Sequence, residues 1–157
     1  MIRREGVHKL FSISNKTKVI ERVKEGQFRS KIIDSDQVYY SIHSLEALLN
    51  NACLKQGTSL EGRSDFTKGI LKSNNKIPIP IDPDHCVFMF PTRSVKSPQL
   101  SYVSYYHVAD FEPYDKNVKV IFKDDTTYIA PMTMKQFDLQ LKRTSQLIAY
   151  FYYKVII

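Results

Sequence analysis

Residues 86–108 read CVFMFPTRSVKSPQLSYVSYYHV, an apolar run that opens into a basic island and resumes as an aromatic run. The island, Pro91 to Gln99, carries Arg93, Lys96 and three small hydroxyl residues. Aromatic and β-branched residues on both sides favour strands. Proline cannot donate to a strand ladder, so the proline-bounded island is a turn between two strands. Its cations give that turn a second reading, as a loop presented to something negatively charged.

The stretches on either side extend the pattern. Upstream, TKVIERV, FRSKII and QVYYSI (37–42) read as strands. Ser44 then has the character of a helix N-cap, with Leu45, Leu48, Leu49 and Ala52 on one helical face and Gly57 as the stop. QGTSLEGRSDFTKG reads as a loop. IPIPI (77–81) alternates cleanly, but its prolines place it at a sheet edge or a bulge, and Asp82-Pro83-Asp84 is a turn. Downstream, SYVSYYHVADF reads as a strand, and NVKVIFK and TTYIAP flank Asp124-Asp125 as a hairpin without the favoured glycine. Thr133 to Gln136 has capping-box spacing. Met134, Phe137, Leu141, Ile148, Phe151 and Val155 then share one face of a long helix. The expected fold is α+β: a β-rich single domain over residues 1–157, mostly antiparallel, with two main helices at about 44–56 and 133–154. There is no internal repeat and no linker.

A chain of 157 residues, 43% hydrophobic and 25% charged, is long and apolar enough for one real core, which excludes disorder over most of its length. The net charge of +7 favours a partner of dense negative charge, nucleic acid first and an anionic membrane surface second. The basic excess is concentrated early: Arg3 to Lys31 holds nine Lys or Arg against three Glu. Cys53 and Cys86 form no CxxC pair or zinc pattern and read as two buried small hydrophobes. MIRREGVHKLF has no apolar signal core, so secretion is not expected. LIAYFYYKVII is apolar but shorter than the about 20 residues needed to span a bilayer.

Catalytic chemistry finds little support. Asp82-Pro83-Asp84-His85 has residue types that Mg²⁺ or Zn²⁺ would need, yet no second acidic motif completes a site, and proline-flanked aspartates serve turns. His8, His43 and His107 stand alone, and glycine-rich phosphate loops, GxSxG and HExxH are missing. The expectation is a protein with no catalytic residues, no metal and no cofactor. Tyr102, Tyr105, Tyr106, Phe111 and Tyr114 form the densest aromatic stretch. Exposed, they would stack on unpaired bases; alternation instead turns about half of them into the core. The candidate DNA-contact residues are Arg63, Lys68 and Lys72, then Arg93 and Lys96, then Lys142 and Arg143. A single-stranded nucleic-acid module and a protein acting only through protein contacts are the alternatives.

Taken in order, the middle of the chain resembles the ComK family of competence transcription factors. The residues that carry the resemblance begin with Val38-Tyr39-Tyr40 before a Leu-rich helix with a Cys, then Gly62-Arg63, IPIDP at 79–83, and Val87 to Thr92. They continue with Pro98-Gln99, His107-Val108 with Phe111, VKVIFKDDTT, and Pro131 through Phe137 to Arg143-Thr144, about residues 28 to 147 in all. No one piece is diagnostic; the order and spacing of many are. The resemblance implies a cytoplasmic activator of DNA-uptake genes in low-GC Gram-positive bacteria. It also implies binding to paired A/T-rich boxes of double-stranded DNA, largely through the minor groove, with subunits associating as homo-oligomers and contact with the RNA polymerase machinery. No membrane partner is implied. Family members generally continue into a polar tail recognised by a degradation adaptor; here the helix runs into AYFYYKVII instead, so the expectation is a short member or a truncated frame.

Overall fold

The computed structural model describes residues 2–4 and 10–156, with side chains placed from Leu10 to Tyr153. In chain order the elements are β1 (Ile2–Arg4), β2 (Thr17–Glu25), β3 (Phe28–Asp34), β4 (Val38–Ser41), α1 (Leu45–Leu54) and α2 (Leu60–Leu71). There follow β5 (Ile79–Asp82), β6 (Val87–Pro91), β7 (Ser101–Ser104), β8 (Val108–Tyr114), β9 (Asn117–Phe122), β10 (Thr127–Ala130) and α3 (Met134–Ile156). One sheet has the order β1-β4-β3-β2-β7-β6-β5, antiparallel apart from the parallel β1–β4 pair; a second has the order β10-β9-β8 and is antiparallel. The α+β class expected from the sequence is the class found.

Every residue of β6 is buried, which requires a layer on each face of the sheet. Successive strand residues point to opposite faces, and the two cores divide accordingly. Ile20, Ile32, Met89 and Tyr102 pack with Leu45, Leu48, Leu49 and Ala52 of α1. Their neighbours Val19, Phe90 and Val103 face the other way, against Val118, Val120 and Phe122 of the small sheet and Phe137 of α3. The large sheet is thus the middle of three layers. Lys18 joins the two sheets, donating to Asp124 Oδ2 at 2.8 Å and Thr126 Oγ1 at 2.7 Å. Tyr128 adds a second tie by donating to Glu21 Oε2 at 2.9 Å.

Local signals account for most boundaries. The Ser44 side chain accepts from the Ala47 amide at 3.1 Å, as an N-cap does. Thr133 and Gln136 exchange the reciprocal pair of a capping box at 3.0 and 3.2 Å. β5 is an edge strand with an irregularity between Pro80 and Asp82. The β9–β10 turn manages without glycine because Asp125 takes φ 68° and the Asp124 carboxylate accepts from Thr126.

Three expectations are corrected. The stretch read as a loop contains α2, a third helix, capped by Ser59, whose hydroxyl accepts from the Gly62 amide at 2.9 Å. Its two glycines and thin apolar face hide it from periodicity. It is held by packing, with the Phe66 ring 5.6 Å from Tyr150 and 5.4 Å from Phe151. SYVSYYHVADF is not one strand: a 3₁₀ turn at Tyr105–His107 carries the chain from β7 in the large sheet to β8 in the small one. Cys86 is exposed rather than buried, at φ 61° where the Pro83–His85 turn ends and β6 has not begun. Cys53 is buried as expected. His8 lies outside the described residues, as does the side chain of Val155.

Phe137 is fully buried between Phe90 and Phe111, at ring distances of 5.4 and 4.8 Å. Phe137→Ala should therefore lower unfolding free energy by about 3–5 kcal/mol, read as a fall in urea midpoint at unchanged m-value. The hydrogen bond from Lys18, followed by that of Thr126, holds the Asp124 carboxyl well below its ordinary range. A carboxyl depressed in the folded state stabilises fully above its unfolded pKa, and that contribution is lost as pH falls through the folded value. Asp124→Asn should accordingly flatten the acid limb of the stability curve below about pH 4, measured by chemical denaturation at each pH.

Candidate nucleic-acid interface

The strand registers bring loops distant in sequence to one end of the large sheet. The pairs Glu25↔Phe28, Ser30↔Ser41, Ile79↔Met89 and Pro91↔Tyr102 lie toward this end. The β2–β3 turn, the start of α1, the 72–78 segment entering β5 and the 92–100 loop therefore sit together. These segments and their flanks carry Arg22, Lys24, Arg29, Lys72, Lys76, Arg93 and Lys96, with Glu25 and Glu46 as nearby acids. At the opposite end the turns carry Asp34, Asp36, Asp82, Asp84, Asp124 and Asp125, together with Lys16, Lys18 and Lys123. Within the large sheet charge is thus segregated along the strand direction; the β8–β9 turn, on the Pro131 side, adds Asp115 and Lys116 to the basic end.

Two grooves open at the basic end. One, of about 670 Å³, is lined by Arg22, Lys24, Arg29, Ser44, Glu46 and Pro98 among others. The other, of about 330 Å³, includes Ser73, Lys76, Thr92, Gln140 and Arg143. The 92–100 loop links them, with Thr92 on the second and Pro98 on the first. Its base is closed by Thr92, whose amide donates to the Ser101 carbonyl at 2.9 Å and whose hydroxyl lies 2.8 Å from Ser101 Oγ. Arg93 Nε donates to the Pro131 carbonyl at 2.6 Å. Arg22 donates to the carbonyls of Val95 and Ser97, at 3.0 and 2.7 Å, and pairs with Glu46. The 91–99 island is a braced loop.

The candidate residues separate. Lys72, Arg93, Lys96 and Arg143 come to the basic end, and Lys68 lies one turn before Lys72 on α2. Arg63 does not join them. It sits nine residues before Lys72, about 13 Å along the helix, with its guanidinium 6.0 Å from the Phe151 ring centroid. Lys142 is exposed on α3 and pairs with Asp138 at 2.7 Å. None of the described ion pairs uses Lys24, Arg29, Lys72 or Lys96.

Arg143 is a clamp. It donates to the carbonyls of Asn75 and Lys76 at 3.0 and 3.2 Å, to Ser73 Oγ at 3.2 Å and to Gln140 Oε1 at 3.1 Å. Burial lowers its pKa from the ordinary value. Gln140 reinforces it, donating at 2.8 Å to both the Lys76 and the Pro91 carbonyls. Together they hold a segment whose ends, Lys72 and Lys76, take left-handed φ of 52° and 50°. Lys24, Arg29 and Lys76 are absent from the sequence-derived set. Cation density in the first third was the signal for Lys24 and Arg29, but linking it to the 92–100 loop needs the β2–β7 pairing.

The aromatic stretch is largely packed, although Tyr114 at the end of β8 is 53% exposed. Tyr102 is buried, and burial pushes its hydroxyl pKa up to about 12. Tyr105 and Tyr106 pack edge-on at 5.4 Å, with the Tyr105 hydroxyl 2.7 Å from Ser145 Oγ. At the other end His85 Nδ1 lies 2.8 Å from Asp82 Oδ2, closing the turn. Among the described residues no group of three or more His, Cys, Asp or Glu side chains is placed to hold a metal ion. Nor is any described helix long and apolar enough to cross a membrane.

Comparison with known proteins adds two findings. The family described as ComK protein matches residues 8–155. The chain is similar to the competence transcription factor of Bacillus subtilis (strain 168), with 32% identity over 124 residues, covering 78% of this chain and 65% of that protein. The chain therefore spans just under two thirds of that relative's length. No solved structure matches.

The contrast between neighbouring cations on α3 is testable. Arg143→Ala should cost about 1.5–3 kcal/mol of stability by orphaning the carbonyls it serves. Lys142→Ala, losing an exposed helix pair, should stay within about 0.5 kcal/mol of the parent in the same denaturation assay.

Proposed function

This chain belongs to the ComK protein family, and from that premise we propose that it is a DNA-binding activator of competence-gene transcription that meets A/T-rich duplex largely through the minor groove. The segregation of charge along the large sheet supports this reading: cations from three separate loops meet at one end, beside Glu25 and Glu46, and six aspartates lie in the turns at the other. The minor groove of A/T-rich DNA is narrow and strongly negative, so cations inserted there gain energy without reading base edges. Arg93 and Lys96 on the braced loop are the groove-facing pair in this scheme, with Ser94 as a neighbouring hydroxyl donor to phosphate. Lys24 and Arg29 on one side, and Lys72 and Lys76 on the other, serve flanking phosphates. Arg143 acts through the backbone it clamps.

Paired boxes call for paired subunits, because two half-sites are matched most simply by two copies of one surface. Contact with the RNA polymerase machinery belongs to the same reading. A protein that neutralises Z phosphates loses affinity with log salt at a slope of about 0.9 Z. In a band-shift titration the wild type should prefer A/T-box over G/C-rich duplex. Replacing Lys24, Arg29 and Lys96 together by Ala should reduce the salt slope by up to about 2.7, and Arg63→Ala should leave it unchanged. Equal affinity for the two duplexes at physiological salt would sink the minor-groove assignment.

A further inference from the structure

The 92–100 loop carries an apolar residue where solvent would favour a polar one. Val95 is 56% exposed and lies between Ser94 and Lys96. One exposed valine on a mobile loop would be unremarked surface, but this loop is braced at its tip. The Ser97 amide donates to the Ser94 carbonyl at 3.0 Å, making a tight turn around Val95 and Lys96. Arg22 then donates from one guanidinium nitrogen to the carbonyls on both sides of Lys96, those of Val95 and Ser97, and from the other to Glu46. The Leu100 amide returns to the Ser97 carbonyl at 3.2 Å, and the Gln99 amide to Ser97 Oγ at 3.1 Å.

We infer that Val95 is an apolar wedge, held out by the Arg22 clamp, which enters the duplex between two base pairs and partly unstacks them. The inference rests on the DNA-binding reading above and says how that site engages its ligand. A wedge needs three properties. It must be apolar, so that leaving water for a base step is favourable. It must be stiff, and the β-branched Val side chain has few rotamers to lose. It must be carried on a backbone that does not yield under load, which the Arg22 clamp supplies. Arg93 and Lys96 on either side lie in the groove, while Lys24, Arg29, Lys72 and Lys76 hold the flanking phosphates as the step opens. The most compliant steps in an A/T-rich box are TA steps, whose stacking is weakest, so the wedge adds selectivity at positions that no side chain reads by hydrogen bond. Arg22 is a positioning residue here. Both of its terminal guanidinium nitrogens donate to protein acceptors.

The test uses the full chain and an A/T-box duplex with 2-aminopurine at a TA step and a donor–acceptor dye pair at its ends. Saturating wild type should raise 2-aminopurine fluorescence and shorten the end-to-end distance. Val95→Ser, a substitution at an exposed position, should still bind within about tenfold of wild type, a difference of about 1.4 kcal/mol, but lose both signals. Arg22→Lys keeps the charge but has one nitrogen where the guanidinium fork has two, so it cannot hold the loop carbonyls and Glu46 from separate donors. Its fluorescence gain at saturation should fall while the circular dichroism stays that of the wild type. An undisturbed probe under saturating wild type, or a full signal with Val95→Ser, would overturn the wedge while leaving DNA binding intact. A full signal with Arg22→Lys would overturn the clamp. A wild type that forms no complex with any duplex would overturn the DNA-binding reading itself, and the wedge with it.

Discussion

The large sheet is covered on both faces, and most of the molecule follows from that constraint. β6 and β7 are buried at every residue, so their side chains must be satisfied in two directions at once. α1 supplies one cover, while the small sheet and α3 supply the other. With both faces closed, water reaches the central strands only at their ends. Around the large sheet, charged residues that cannot enter either core therefore collect in the loops at those ends, and the fold becomes a device for collecting loops. Antiparallel pairing decides which loops meet: neighbouring strands return to the same end, so turns far apart in sequence share one surface.

The same covering layers need polar ties, and these double as positioning elements. Near the acidic end Lys18 is almost wholly buried, yet its ammonium is matched by a carboxylate and a hydroxyl of the β9–β10 turn. A buried cation without partners would be untenable; with them it fixes how the small sheet sits on the large one. Near the basic end Gln140 and Arg143, on the inward side of α3, satisfy carbonyls that leave the sheet at Lys76 and Pro91. Removing either tie would free a layer and a loop together. The cations available to a ligand are those left over when these structural needs are met. Arg22, Lys18 and Arg143 are committed inward, and Lys24, Arg29 and Lys96 are not among the described ion pairs.

Much of the fold is legible without coordinates where local chemistry and tertiary context agree. The capping of α1 by Ser44, the capping box of α3 and the edge placement of the proline-bearing β5 each depend on residues within a few positions of one another. Reading fails where packing overrides local preference. α2 has two glycines and one fully buried residue, so its helicity comes from neighbours such as Phe151, more than 80 residues away. The break at Tyr105–His107 has no strong turn residues; it exists because the chain must pass from one sheet to another. Cys86 is exposed because a turn ends on it, one residue before the apolar strand that it resembles in composition.

The amino-acid sequence by itself determined the α+β class, the basic excess, the proline-bounded cationic island at 91–99 and the kinship with the ComK family. All of these reside in residue types and their local order. Only the tertiary structure decided which cations share a surface and which are spent on holding it. That choice depends on strand register and layer packing, in which residues from about 20 to more than 100 positions apart become neighbours. Arg63 and Arg143 look alike in sequence, but one lies against an aromatic ring away from the basic end and the other grips the backbone within it. Separation along a helix and competition among acceptors make that difference, and neither is written in the spacing of the letters.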